Sequence, residues 1–404
     1  MLDGEQTTNW QGKYSEKAKR ARSSAIRELL EIINDPKIIS FAGGLPASRT
    51  LPIKANAKAA VHFYEQEKKN VLQYGQTEGV PDLRIYLSNY MSRYGINVER
   101  QNILPTSGSQ QALDLLGRLF LDEGDVIITS APTYTGAIQA FGFYEPEFKT
   151  VDLDENGMVV DQVRQLLEEN EAKFVYVLPN FHNPGGVTLS KERREELVKV
   201  AANNDAFIVE DDPYGELRFE GENITPILPL HKENVIYLST FSKILAPGYR
   251  LGWVTAPKDK IEKLVLMKQG ADLCTSALVQ NTALYMCEKE GFLKNRLKKL
   301  RELYGKRRKV MLESMEKHFP SEVSWTQPEG GLFLWATLPQ SCNSKELFDL
   351  ASKEYKVAFV YGSAFFPNQT VSNSMRLNFS YMNSLKIREG IKKLGKAIDA
   401  YLTT

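Results

Sequence analysis

Lys243 and Arg250 lie seven residues apart, in Ser239-Thr240-Phe241-Ser242-Lys243 and Pro247-Gly248-Tyr249-Arg250-Leu251-Gly252. An amine is a nucleophile only when neutral, and a second cation nearby lowers a lysine's pKa toward that form. The hydroxyls of Thr240 and Ser242, with the Arg250 guanidinium, suit an anionic phosphate. Taken alone, both cations also read as ordinary exposed loop charges.

Other stretches carry compatible chemistry. In Glu210-Asp211-Asp212-Pro213-Tyr214, a carboxylate can keep a pyridine nitrogen protonated and make the ring an electron sink; Asp-Asp-Pro is equally a turn initiator. In Pro179-Asn180-Phe181-His182-Asn183-Pro184-Gly185-Gly186, Asn183 can donate a hydrogen bond to a phenolate oxygen, or the stretch is a plain Pro/Gly loop. Thr106-Ser107-Gly108-Ser109-Gln110 opens a helical pattern, and the free N–H groups and dipole of a helix start seat phosphate; serines also simply cap helices. Tyr134, in Ala131-Pro132-Thr133-Tyr134, can stack on a flat ring or be an ordinary half-buried tyrosine. Arg376, in Ser374-Met375-Arg376-Leu377-Asn378-Phe379, can clamp a carboxylate in two places or form a surface ion pair. Their order argues against the plain readings. Phosphate seat, ring, asparagine, acid, lysine, arginine and clamp follow one another, most of them directly after a strand-like run.

The elements needed to position them are legible. Ala112, Leu113, Leu115, Leu116, Leu119 and Phe120 have helical spacing, and short apolar runs start at Val126, Phe174, Phe207 and Val235. Fully apolar short strands alternating with longer connections predict a mostly parallel sheet covered on both faces, an α/β class of fold. In open sheets of this kind ligands bind at the carboxyl ends of the strands. Past about residue 260 the pattern changes. Residues 292 to 318 predict a long connecting helix, Gly330-Gly331-Leu332-Phe333-Leu334-Trp335 and Val357-Ala358-Phe359-Val360 predict strands, and residues 384 to 401 an amphipathic helix. The expected division is an N-terminal segment over residues 1–45, a large α/β domain over 46–290 and a small α+β domain over 291–404.

Composition narrows the class. The chain has 404 residues, 42% hydrophobic and 25% charged, as soluble multi-lobed proteins do. A net charge of +1 gives no electrostatic reason to expect nucleic acid or a membrane surface. Cys274, Cys287 and Cys342 form no C-x-x-C pair, which suits a reducing compartment. Residues 1 to 27 are polar, and no apolar run reaches spanning length; a cytoplasmic protein is expected. His62, His182, His231 and His318 lack metal-ligand spacing. The stretch from Gly390 to Lys396 matches a phosphate-loop spacing but is followed by Ala397, without the hydroxyl that motif needs.

In identity, order and approximate spacing, these motifs make the chain similar to the fold-type-I aminotransferases (class I/II) that depend on pyridoxal 5'-phosphate (PLP). The resemblance runs from Phe41-Ala42-Gly43-Gly44-Leu45-Pro46 to the C-terminal helix. Leu72-Gln73-Tyr74, Ser107-Gly108-Ser109-Gln110-Gln111 and Gln269-Gly270-Ala271-Asp272-Leu273 resemble most the 2-aminoadipate and kynurenine aminotransferase group. The resemblance implies a Schiff base on Lys243, which then moves the substrate proton. It implies Asp211 on the pyridinium nitrogen, Asn183 and Tyr214 on the phenolate oxygen, and Tyr134 stacked on the ring. Ser109, Gln110, Thr240, Ser242 and Arg250 would hold the phosphate, and Arg376 the substrate carboxylate. Tyr74 would reach the phosphate of a neighbouring subunit, which requires a homodimer, and Arg27 and Gly44 would lie in a segment folding over the substrate. Gly185 stands where many relatives have threonine, and Thr240 where serine is common. The implied reaction takes an amino group from an L-α-amino acid of 2-aminoadipate, aromatic or branched-chain type to a 2-oxo acid such as 2-oxoglutarate, by ping-pong kinetics. A C–S β-lyase on the same fold is the nearest alternative. A PLP-sensing regulator would need a DNA-binding module, for which about forty residues before Phe41 are too few.

Overall fold

The computed structural model describes residues 9–20, 35–66, 68–368 and 373–403; Arg27 lies outside them. Its strands, in chain order, are β1 (Ile39–Ser40), β2 (Ile103–Thr106), β3 (Val126–Ala131), β4 (Glu147–Asp154), β5 (Gly157–Met158), β6 (Ala172–Val177), β7 (Phe207–Asp211), β8 (Val235–Thr240), β9 (Gly252–Thr255), β10 (Ser324–Trp325), β11 (Phe333–Thr337), β12 (Val357–Ala358), β13 (Val360–Tyr361) and β14 (Ser374–Asn378).

Eight of them form one sheet in the order β2-β9-β8-β7-β6-β3-β4-β5. The central run from β8 through β4 is parallel, and β2, β9 and β5 pair antiparallel at its margins. The inner strands β6, β7 and β8 are largely apolar because each face is covered. Neighbours along a strand point to opposite faces, so Ile128, Val175, Ile208 and Val235 join one core, while Ile127, Phe174, Val209 and Ile236 join the other. Ile208 and Val209 are fully buried, and truncating Ile208 to alanine would cost about 2–5 kcal/mol. The helix Ser109–Phe120 supplies Leu113 and Leu116 to the second core.

The smaller lobe is an antiparallel sheet in the order β10-β11-β14-β13, backed by the helices Phe292–His318 and Ser384–Leu402. Two sequence expectations change here. Gly330 and Gly331 precede β11 rather than open it: a Cβ on either would sit 2.3–2.5 Å from the Phe181 side chain, and Gly331 has φ +71°. The apolar run at 357–360 is divided at Phe359, so that β12 pairs with β1 while β13 pairs with β14. The β1 pairing leads the chain from Phe41 into the cleft, where the Phe41 carbonyl accepts the Asn378 N–H at 2.9 Å.

Candidate active site

Strand register assembles the first part of the site. Thr106 at the end of β2 and Thr240 at the end of β8 both pair with Gly252 at the start of β9. This row brings the start of the Ser109–Phe120 helix against the Lys243 turn. A Cβ at Gly252 would lie 2.9 Å from the Ser109 nitrogen, and one at Gly108 would lie 2.6 Å from Arg250 Nη2. Gly108 has φ +82°, a conformation costly for any residue with a Cβ. The first amides of the helix, at Ser109 and Gln110, have no intrahelical acceptor. Ser242 donates its N–H to Thr240 Oγ1 at 3.1 Å, and Arg250 Nη1 reaches Ser242 Oγ at 3.4 Å. Thr240 thus braces the turn that presents Ser242. Hydroxyl, guanidinium and helix amides converge in an arrangement that can seat an anion.

Lys243 follows β8 and donates from Nζ to the Gly44 carbonyl at 2.9 Å. Burial, then the neighbouring Arg376 and Arg250 guanidiniums, pull its pKa from 10.5 to about 8. The amine is therefore neutral in an appreciable fraction at ordinary pH. Its Nζ lies 5.9 Å from the centre of the Tyr214 ring. Tyr214 is buried, its hydroxyl is within hydrogen-bonding reach of Asn183, and burial raises its pKa.

Asp211 ends β7 and is 2% exposed. Its Oδ2 accepts the Tyr176 hydroxyl at 2.8 Å, whereas Oδ1 has no hydrogen-bond partner among the described residues. Burial pushes this carboxyl up to about 7, against the opposing pull of the Tyr176 hydrogen bond. A buried acceptor left open is expensive unless a ligand completes it, and a protonated nitrogen could do so. Tyr134 stands before the helix Thr135–Gly142, with its hydroxyl 3.4 Å from Gln110 Oε1. It is close enough to Asp211, Arg376 and Arg250 to feel their charges.

Arg376, on β14 of the smaller lobe, is 2% exposed. Nη1 donates to Asn183 Oδ1 at 2.8 Å and Nη2 to the Ala42 carbonyl at 2.7 Å, while Nε has no partner among the described residues. Burial lowers its pKa to about 10, with Tyr214 and Tyr134 opposing. A buried guanidinium whose acceptors among the described residues are neutral oxygens can take a carboxylate.

One sequence-selected residue lies apart. Tyr74 is 82% exposed. His182 proves to be a brace: Ser130 Oγ donates to the Pro132 carbonyl, lies 3.1 Å from His182 Nε2, and His182 Nδ1 accepts the Gly185 N–H at 3.1 Å. That order of donors requires a neutral ring, and burial lowers its pKa to about 3. The imidazole ties the Tyr134 loop to the Asn183 loop. Tyr176 escaped notice as one more member of an apolar strand. The available signal was a hydroxyl on a fully buried strand, which must find a partner.

The family model for class I and II aminotransferases matches residues 36–394. The chain is 46% identical to "Aromatic-amino-acid aminotransferase 1" of Thermococcus litoralis, across 97% of this chain and 95% of that one. A Pyrococcus horikoshii kynurenine aminotransferase, solved with PMP, KYN as substrates and KYA as products, superposes with a TM-score of 0.94 at 43% identity, covering 98% and 99% of the two chains. An alpha-aminoadipate aminotransferase of Thermus thermophilus, complexed with N-(5'-phosphopyridoxyl)-L-leucine, gives 0.92 at 38% identity over 98% and 100%.

Proposed function

The chain belongs to the class I and II aminotransferases, and from that premise we propose that it moves the amino group of an aromatic, 2-aminoadipate-type or branched-chain L-α-amino acid to 2-oxoglutarate. The cofactor is PLP. The observation that carries the reading is the gathering around Tyr214 of an amine poised near neutrality, Lys243, with Asp211 Oδ1 and Arg376 Nε, both unpartnered among the described residues. The donor set fits the cofactor: Ser109, Gln110, Ser242 and Arg250 would hold its phosphate with Thr240 behind them, Asp211 its ring nitrogen, Asn183 and Tyr214 its phenolic oxygen, and Tyr134 its face.

Bound there, PLP supplies the electron sink that makes a substrate Cα–H acidic. The chain supplies the rest. Arg376 orients the substrate through its carboxylate, which favours loss of the Cα proton over loss of the carboxylate itself. Lys243 takes that proton on Nζ and returns it elsewhere, a role that needs a pKa near working pH. Asp211 fixes charge at one point of the site, and Asn183 links the Arg376 guanidinium to the ring position, so substrate and cofactor are held in one frame.

The exposed Tyr74 supports a homodimer. Ile53, Val61 and Tyr64 on the helix Ile53–Glu65, with Leu72 and Leu273, are also large exposed apolar side chains. A second copy would cover them and deliver Tyr74 to its partner's phosphate seat. Among the described residues no helix is long and apolar enough to cross a membrane, and the three cysteines are unpaired, in keeping with a cytoplasmic enzyme. Gly44 would contact substrate, and Arg27 would lie over it.

The test is a panel of amino donors with 2-oxoglutarate, scored by glutamate formed, with initial rates measured while both substrates vary. Parallel double-reciprocal lines and a preference for aromatic or 2-aminoadipate donors are expected. Pyruvate and ammonia released from a cysteine conjugate without glutamate formation would instead indicate a β-lyase.

A further inference from the structure

Behind the anion seat lies a closed ring of hydrogen bonds that the reading above does not use. Ser107 is gripped twice: its N–H donates to Gln111 Oε1 at 2.8 Å and its Oγ donates to Asp272 Oδ2 at 2.8 Å. Lys268 closes the ring. Its Nζ donates to Gln111 Oε1 at 2.7 Å and to Asp272 Oδ1 and Oδ2 at 2.7 and 2.9 Å. Those three acceptors match the three protons of an ammonium, and the Lys268 side chain is wholly buried, with 28% of the Asp272 side chain exposed.

The position of the ring gives it meaning. Ser107 directly precedes Gly108, whose left-handed backbone turns the chain into the Ser109–Phe120 helix. Holding Ser107 by both its amide and its hydroxyl fixes the peptide planes from which Ser109 and Gln110 present their N–H groups. Gln111 spends its carbonyl on the Ser107 amide, so that amide is withdrawn from the anion and the seat begins at Ser109. The lysine comes from the end of the helix Lys258–Gln269 and the aspartate from the loop after it. The seat is therefore set by a neighbouring element together with Gln111 of the helix that carries it.

We propose that Lys268 and Asp272 are positioning residues for the cofactor's phosphate, acting through Gln111 and Ser107 to hold the Ser107-Gly108-Ser109 turn in its binding geometry before any phosphate arrives. The proposal rests on the PLP reading. It concerns only the phosphate end: a cofactor lacking phosphate gains nothing from the ring.

That asymmetry supplies the test. Wild type, Asp272→Asn, Ser107→Ala and Lys268→Met are freed of cofactor and titrated with PLP and, separately, with pyridoxal, which lacks the phosphate. Binding is followed by absorbance. Asp272→Asn and Ser107→Ala alter the solvent-facing part of the ring and decide the matter if the buried Lys268→Met fails to fold. The expected result is a PLP dissociation constant raised about tenfold, the equivalent of one lost hydrogen bond to a charged group, with the pyridoxal constant unchanged within about twofold. A parallel loss for both ligands would mean a merely structural role and overturn the proposal, as would unchanged PLP affinity. Wild type that binds neither ligand would overturn the PLP reading itself, and the proposal with it.

Discussion

Tyr176 donates its hydroxyl hydrogen bond to Asp211 Oδ2 at 2.8 Å and leaves Oδ1 as a buried acceptor with no partner among the described residues. One oxygen is committed to the protein and the other is left for a ligand to complete. The hydrogen bond also lowers a carboxyl pKa that burial has raised, so Tyr176 favours the charged form that a pyridinium partner requires. Tyr176→Phe is expected to weaken PLP binding by about tenfold, in line with a lost hydrogen bond to a charged group. Titration of cofactor-free protein with PLP measures it; unchanged affinity would remove Tyr176 from the account.

The Asp211 carboxyl should mark the stability of the cofactor-free protein. Its folded pKa of about 7 stands above the ordinary 3.8, so folding favours the protonated form. That stabilisation is complete below about pH 4, declines as the unfolded chain ionises, and is gone once pH passes about 7. Asn cannot ionise. Cofactor-free Asp211→Asn should therefore match wild type near pH 4 and exceed it at pH 8, by at most about 4 kcal/mol. Urea unfolding of both proteins across that range provides the comparison, and a difference independent of pH would count against the buried, unpaired carboxylate.

Gly108→Ala tests the shape of the anion seat. The backbone has φ +82°, and the new methyl would meet Arg250 Nη2 at 2.6 Å. Strain of about 1–2 kcal/mol is expected from the backbone alone, together with displacement of Arg250. PLP affinity should fall by at least about tenfold, and binding of free phosphate should weaken alongside it. Retained affinity would show that the seat tolerates a side chain there.

Arg376→Gln removes the buried guanidinium while keeping a side chain able to hydrogen-bond. Losing one partner of a buried carboxylate pair costs about 2–5 kcal/mol, so kcat/KM for amino donors should fall by about 10²–10³-fold. Amines without a carboxylate should be poor substrates of both proteins, with little difference between them. Equal losses for both kinds of donor would mean that Arg376 does not read the carboxylate.

The large sheet was legible because its strands carry apolar residues on both faces. The Phe174 and Phe207 runs could not be satisfied at an edge, and each is a parallel inner strand. The ordered motifs at Asp211, Asn183, Lys243 and Arg376 were legible for a related reason: each ends or follows a strand, or lies on one, and the sheets bring those points together. Strands near the sheet margin were harder. Glu147–Asp154 is half exposed and mixed in character, so it gives no apolar run. Phe359 is fully buried within a continuous apolar stretch, and nothing local announces that the sheets divide there. The Lys268–Asp272 ring was hidden because its members lie up to 165 residues apart; only the folded arrangement of the helix ends joins them.

The most direct test of the central claim is the absorption spectrum of the protein with one equivalent of PLP. A stoichiometric visible band is expected, forming faster as pH rises through about 8, where Lys243 gives up its proton. L-glutamate or an aromatic amino acid should shift it to the shorter wavelength of the aminated cofactor, and Lys243→Ala should show neither band nor shift. A band that persists unchanged in Lys243→Ala, or wild-type protein that takes up no PLP, would contradict the account.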